Sequence, residues 1–159
     1  MMPVVYSLGS NLGDRLANLR LAVRELSPYA ISPVYETSPA GGPAQPDYLN
    51  AVLLALVESP GAALAAAQTA ERAAGRVRTV RFGPRTLDVD VVVVDGMEQA
   101  DEALILPHPR AHERAFVLVP WLDVDPLAVL PGYGPVAQLP AVRDRAGIHR
   151  RDDLALVTG

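Results

Sequence analysis

Cysteine is absent from the 159 residues, and so is lysine. Without a thiol the chain can form neither a disulfide nor a thiolate metal site, and it is compatible with a reducing compartment. No apolar run approaches the roughly 18 residues of a membrane span; residues 53–57 and 91–94 are typical of those present. Residues 1–6 lack the basic start and apolar run of a signal peptide. The chain therefore reads as soluble and cytoplasmic, with no membrane partner. Aromatics are scarce, at two Phe, five Tyr and one Trp, so each one weighs in the argument. Net positive charge is lacking too: the balance is −4, which speaks against a general nucleic-acid binder.

What is present is arginine, and it is clustered. All 14 basic residues are Arg, a bias that codon usage also explains, and residues 72, 76, 78, 81 and 85 follow one another with no acidic residue among them. The length suits one domain, burying roughly 70% of the surface that the unfolded chain exposes. A β-rich run at 4–7 leads into a turn-like Gly9-Ser10-Asn11-Leu12-Gly13-Asp14, where Asp14 caps a helix carrying Leu16, Leu19, Val23 and Leu26. Strands are expected over 30–35 and 48–57, separated by a Pro- and Gly-rich loop. Ser59-Pro60 starts a second helix that stops at Gly75. A strand over 87–94 and a short helix over 112–119 follow. From residue 139 to 159, Arg and Asp mix with few apolar anchors, which reads as a small or partly mobile terminal element. This order predicts an α+β, ferredoxin-like split β-α-β plait, its antiparallel sheet covered by helices on one face and open to ligands on the other.

The densest chemistry lies in Gly83-Pro84-Arg85-Thr86-Leu87-Asp88-Val89-Asp90. On a strand Asp88 and Asp90 share one face while Val89, Val91 and Val93 take the other. Two carboxylates that close repel by a few kcal/mol at an effective dielectric near 20, so either Arg85 or a divalent cation must offset them. Oxygen ligands select Mg²⁺ or Ca²⁺, and Mg²⁺ completes its shell with water and phosphate. Two solvated acids on an exposed edge would read the same by spacing alone. Arg76, Arg78, Arg81 and Arg85 beside the pair suit a metal-bound polyphosphate, because guanidinium grips phosphate bidentately. Arg110 and Arg114 would add donors from one face if their segment turns helical. Taken alone, Tyr48 and Phe116 read first as core residues; with Asn50 they also offer two ring faces and an amide edge for a flat heterocycle. The Gly9–Gly13 turn lacks a Gly-Lys-Ser/Thr ending and is no Walker A loop.

These segments, taken with Gln45-Pro46-Asp47-Tyr48-Leu49-Asn50, Gly75-Arg76-Val77-Arg78 and Pro107-His108-Pro109-Arg110, resemble the successive signatures of the hydroxymethyldihydropterin pyrophosphokinases, in that family's order, over residues 4 to about 125. Phe82, Ser38 and Pro109 stand where some members carry Trp, Pro and Tyr. The resemblance implies a plait fold, ATP and a pterin alcohol as substrates, two Mg²⁺ ions on Asp88 and Asp90, and a monomer acting in folate biosynthesis. It implies that Arg76, Arg78, Arg85, His108, Arg110 and Arg114 contact the triphosphate, with Arg78 and Arg85 also serving catalysis. Gln68 and Glu71 would help to place ATP, and Thr37, Pro39, Tyr48, Asn50 and Phe116 would form the pterin pocket. Gly75 to Pro84, rich in unpaired positive charge, is expected to act as a lid that closes on bound phosphate. A non-catalytic regulatory plait would need no carboxylate pair. An RNA-binding plait would want exposed aromatics where Asp88 and Asp90 stand.

Overall fold

The computed structural model describes residues 1–39, 44–75 and 86–157. Of the expected lid only Gly75 is described; Arg76, Arg78 and Arg81 within it, and Arg85 just beyond it, lie outside the described residues. Five strands build the main sheet in the order β10 (Ile148–Arg150), β3 (Tyr35–Thr37), β4 (Tyr48–Val57), β1 (Met2–Ser10) and β5 (Asp88–Val94), with β2 (Ala30–Ile31) also pairing with β4. Every pairing is antiparallel. With α1 (Arg15–Leu26) and α2 (Pro60–Ala73) as crossovers, this is the ferredoxin-like plait that the element order predicts. Two small ribbons, β6 (Gln99–Ala100) with β7 (Ile105–Leu106) and β8 (Val129–Leu130) with β9 (Gly134–Pro135), flank α3 (Ala115–Val124).

Both crossover helices start on the side chains that the sequence offers. Asp14 accepts the Ala17 amide at 3.1 Å and Ser59 accepts the Ala62 amide at 3.0 Å. Gly75 ends α2 at φ +67, a conformation that costs Gly least. Leu19, Ala22 and Leu26 of α1 and Ala63, Ala67 and Ala70 of α2 face Val4, Tyr6, Leu8, Ala51 and Leu53 of the sheet. The small α2 residues bring that helix close enough for Tyr6 to donate its hydroxyl to the Ala63 carbonyl at 3.0 Å. Fully buried side chains such as Leu19 and Leu53 each contribute about 1.5–3 kcal/mol.

The second face, expected from the sequence to be open, is not wholly so. Half of it is sealed by α3, whose Val117, Leu118 and Trp121 pack on Val5, Val52, Leu54, Val92 and Val93. Val93 is therefore on the face opposite to the expected one. The β1–β5 register slips between Val5 and Tyr6, pairing Val5 with Val93 but Tyr6 with Val91, so Val92 is the extra residue of a bulge. Downstream of the bulge the inward parity reverses, and Val92 and Val93 both go under α3.

Two further departures have local causes. The expected strand over 30–35 breaks at Ser32 and Pro33, where the Ser32 hydroxyl accepts the Val52 amide at 2.8 Å in place of a backbone carbonyl. The expected helix over 112–119 splits into a 3₁₀ turn at Ala111–Glu113 and α3. Arg114 sits between them in extended conformation, at φ −108 and ψ 99. Arg110 and Arg114 thus do not share one helix face. Pro120 lies inside α3, which its burial against the sheet sustains.

Candidate active site

The uncovered half of the second face holds a cleft of about 460 Å³. Its floor is a row of cross-strand neighbours. Asn50 of β4 stands opposite Gly9 of β1, and Gly9 stands opposite Asp88 of β5; one step along, Ser7 pairs with Asp90. Two strand spacings put the Asn50 and Asp88 backbones roughly 10 Å apart. Gly9 keeps the space between them empty. A Cβ there would lie 3.1 Å from Asn50 Nδ2 and 3.3 Å from the Tyr48 ring. Sequence reading treated Gly9 as part of a turn and missed this role; a glycine inside a strand is itself the signal of close approach.

At one end of the row Thr37 donates its hydroxyl to Asn50 Oδ1, while Asn50 Nδ2 donates to the Leu8 carbonyl at 3.3 Å. Thr37 and Asn50 are buried, so the amide is fixed in orientation before any ligand arrives. Tyr48 and Pro39 line the same end, and Phe116 lines the cleft from the start of α3. At the other end, Asp88 and Asp90 both line the cleft from alternate positions of β5. Arg114 Nη1 stands 3.8 Å from Asp90 Oδ2, and its guanidinium lies 5.5 Å from the Phe116 ring centroid. Arg110 and Glu113 complete the rim.

A second, shallower cleft lies across the β5 edge, lined by Leu64, Val89, Val91, Asp101, Glu102 and His108. Asp90 and only Asp90 belongs to both clefts among the described residues. The His108 amide donates to the Val92 carbonyl at 2.9 Å. Burial pushes the His108 imidazole down to about 4, and the nearby Arg114 and Arg110 charges add to it. Its ring is therefore neutral at pH 7.

Of the residues singled out from sequence, Thr37, Pro39, Tyr48, Asn50, Asp88, Asp90, Arg110, Arg114 and Phe116 converge on one cleft, and His108 reaches its neighbour. Gln68 is exposed and lines neither. Glu71 lines neither as well; its carboxylate accepts the Val89 amide at 2.9 Å and so closes the outer edge of β5. Arg76, Arg78 and Arg85 lie outside the described residues. Asn18 went unnoticed. Its side chain donates to Ser10 Oγ, the Leu12 carbonyl and, at 3.0 Å, the Thr86 carbonyl, tying α1 to the start of the carboxylate strand. Ser38 also lines the main cleft, as do Asp144, Gly147 and Ile148, which carried no motif.

Among the described residues no three His, Cys, Asp or Glu side chains converge. Two accessible carboxylates on one strand face match the one or two that Mg²⁺ takes when phosphate and water fill its other positions. They do not match a closed protein-only cage.

The family model for 7,8-dihydro-6-hydroxymethylpterin-pyrophosphokinase (HPPK) matches residues 5–126. A 2-amino-4-hydroxy-6-hydroxymethyldihydropteridine pyrophosphokinase of Mycobacterium bovis is 48% identical, over 94% of this chain and 91% of its own. The protein of that description from Bacillus subtilis is 42% identical, over 74% and 75%. Among solved structures, the Plasmodium falciparum HPPK-DHPS chain crystallised with pteroate superposes with a TM-score of 0.69 at 11% identity. That likeness concerns the fold, covering 94% of this chain and 47% of the longer one. With signature, cleft and fold in agreement, the chain belongs to the 7,8-dihydro-6-hydroxymethylpterin-pyrophosphokinase family.

Proposed function

We propose that this chain transfers pyrophosphate from ATP to 6-hydroxymethyl-7,8-dihydropterin, giving AMP and the pterin pyrophosphate, a step of folate biosynthesis. The observation that carries the reading is the row Asn50–Gly9–Asp88, which sets a fixed amide and a carboxylate on opposite sides of a glycine that lines the cleft. A bicyclic pterin lying over Gly9 would meet Asn50 and Thr37 at its polar edge and direct its hydroxymethyl group towards Asp88. Tyr48 and Phe116 supply apolar ring surface at the cleft.

ATP would run along the β5 edge, its adenosine end in the second cleft and its phosphates beside Asp90, Arg110 and Arg114. The pterin hydroxymethyl oxygen attacks the β-phosphorus, the bond from that phosphorus to the α–β bridging oxygen breaks, and AMP leaves. The hydroxyl proton passes to solvent. Asp88 and Asp90 would hold Mg²⁺, two ions on the family reading, which when bound neutralises phosphate charge. Arg114 counters charge that develops on the transferred group, and Arg76, Arg78 and Arg85 join it on the sequence reading. No side chain need act as an obligatory base, since phosphoryl transfer rests on positioning and charge.

The test is AMP release. Incubation with ATP, Mg²⁺ and the reduced pterin alcohol should give AMP and pterin pyrophosphate in equal amounts, and omission of either the pterin or the metal should abolish both. Release of ADP and a pterin monophosphate, or metal-independent turnover, would overturn the reading.

A further inference from the structure

The family match ends at residue 126, yet the chain beyond it walls the main cleft: Asp144, Gly147 and Ile148 stand beside Thr37, Ser38 and Phe116. The strand that carries Thr37 has only three residues and would, without help, be held by β4 on one side alone. The last strand supplies the other side. It pairs Ile148 with Thr37, His149 with Glu36 and Arg150 with Tyr35. Backbone bonds extend the pairing past both ends, Ser38 N–H to the Gly147 carbonyl at 3.0 Å and Arg151 N–H to the Val34 carbonyl at 2.8 Å.

A chain of charge fixes the same strand from beneath. Glu36 accepts Arg151 Nη1 at 2.8 Å and Arg15 Nη1 at 2.5 Å, and that Arg15 nitrogen also donates to the Asp47 carbonyl, one residue before Tyr48. Asp153 holds the other edge of the Arg151 guanidinium at 2.8 and 2.9 Å. Further on, the Ala155 carbonyl accepts two bonds from Arg20, and Leu156 is buried in the main core. At the cleft wall, Gly147 has φ +71, and a Cβ there would sit 3.1 Å from Ser38 Oγ and 3.3 Å from Ser38 Cβ.

We propose that the segment 144–151 is the outer wall of the pterin subsite and that Arg151 and Gly147 are positioning residues, setting Thr37 and through it the Asn50 amide. Neither touches the pterin. Both act on the strand whose hydroxyl orients the recognising amide, and neither borders the carboxylate end. The pterin subsite is therefore the part of the reaction that senses them. The inference rests on placing the pterin against Thr37 and Asn50.

The experiment uses the full chain and reads KM for each substrate separately, with Asn50→Ala as the reference. Arg151→Ala should raise KM for 6-hydroxymethyl-7,8-dihydropterin about three- to tenfold, the scale of one partly exposed charge-assisted hydrogen bond. KM for ATP should stay within about twofold, as for sites without shared partners, and Arg151→Lys should recover part of the loss by keeping the contact to Glu36. Gly147→Ala should show the same one-sided rise. If that variant does not fold, Arg151→Ala alone decides. Equal rises in both KM values, or a fall in kcat with both unchanged, would overturn the positioning role. So would a pterin KM that Asn50→Ala raises and Arg151→Ala leaves alone. A pterin KM unmoved by Asn50→Ala would remove the pterin placement itself, and this inference with it.

Discussion

The two ends of the main cleft are built on opposite plans. At the Asn50 end the polar groups are buried and already bonded to one another: Thr37 to Asn50, Asn50 to the Leu8 carbonyl. At the Asp88 end the groups are charged and accessible, Asp90 keeping 41% of its side chain exposed and Arg114 26%, at a separation too long for a hydrogen bond. The first end is finished before its ligand arrives, so recognition there requires little rearrangement. The second end gathers accessible charges of both signs, Asp88 and Asp90 with Arg114 and Arg110. Folding supplies specificity at one end. Charge and access serve the other.

Loss of either carboxylate should give the largest effect. Asp88→Ala or Asp90→Ala should lower turnover about a hundredfold or more, the scale of removing a preorganised electrostatic group. Thermal unfolding should change far less than turnover, because both carboxylates stand at the cleft and neither is packed in the core. A variant of this kind that unfolds early but retains turnover would erase the contrast between the ends. Asn50→Ala should behave in the reverse way. It should weaken pterin binding by about 1–3 kcal/mol and also lower stability, since the buried Thr37 hydroxyl loses its partner. Calorimetry with an ATP analogue should register almost no change, and equal losses for both ligands would break the partition.

The smallest effect concerns pH. His108, depressed to about 4 by burial and by Arg114 and Arg110, binds fewer protons folded than unfolded between that value and the ordinary range near 6.5. Stability should therefore fall as pH drops through this window and flatten below it. His108→Gln should remove that slope and leave the later loss from Glu36, whose carboxyl is held low by the Arg15 hydrogen bond and, after it, by Arg151. Unfolding curves at several pH values on both proteins decide the matter; an unchanged slope would show that His108 is not the group responsible.

Both crossover helices, their caps and the long central strand were legible in the sequence, because each is written in local terms: a capping Asp14 or Ser59, apolar spacing, a terminal Gly75. The carboxylate pair was legible because alternation survives up to residue 91. Val93 was misplaced because a bulge depends on how two strands meet, and a run of four valines looks the same with or without one. The break at Ser32 depends on a hydroxyl finding the Val52 amide, a partner twenty residues away. The bond from the Val89 amide to Glu71 was not legible either, because it depends on β5 lying at the sheet edge. The last strand was the hardest to foresee. Its anchors are Arg151, Glu36 and backbone pairing, and such contacts leave no apolar pattern to read.

Gly9 bears on how such a site can change over time. A methyl group there would press on Asn50, which two hydrogen bonds hold in place, and on the Tyr48 ring, so the floor of the cleft admits no gradual exploration by substitution. Any lineage that came to accept a larger heterocycle, or to refuse a pterin mimic, would have to vary elsewhere. The outer wall offers that latitude: Asp144 lines the cleft there and is exposed. The floor is thus the conservative part of the site and the rim its adaptable part, a division laid down by where a single hydrogen atom stands in place of a side chain.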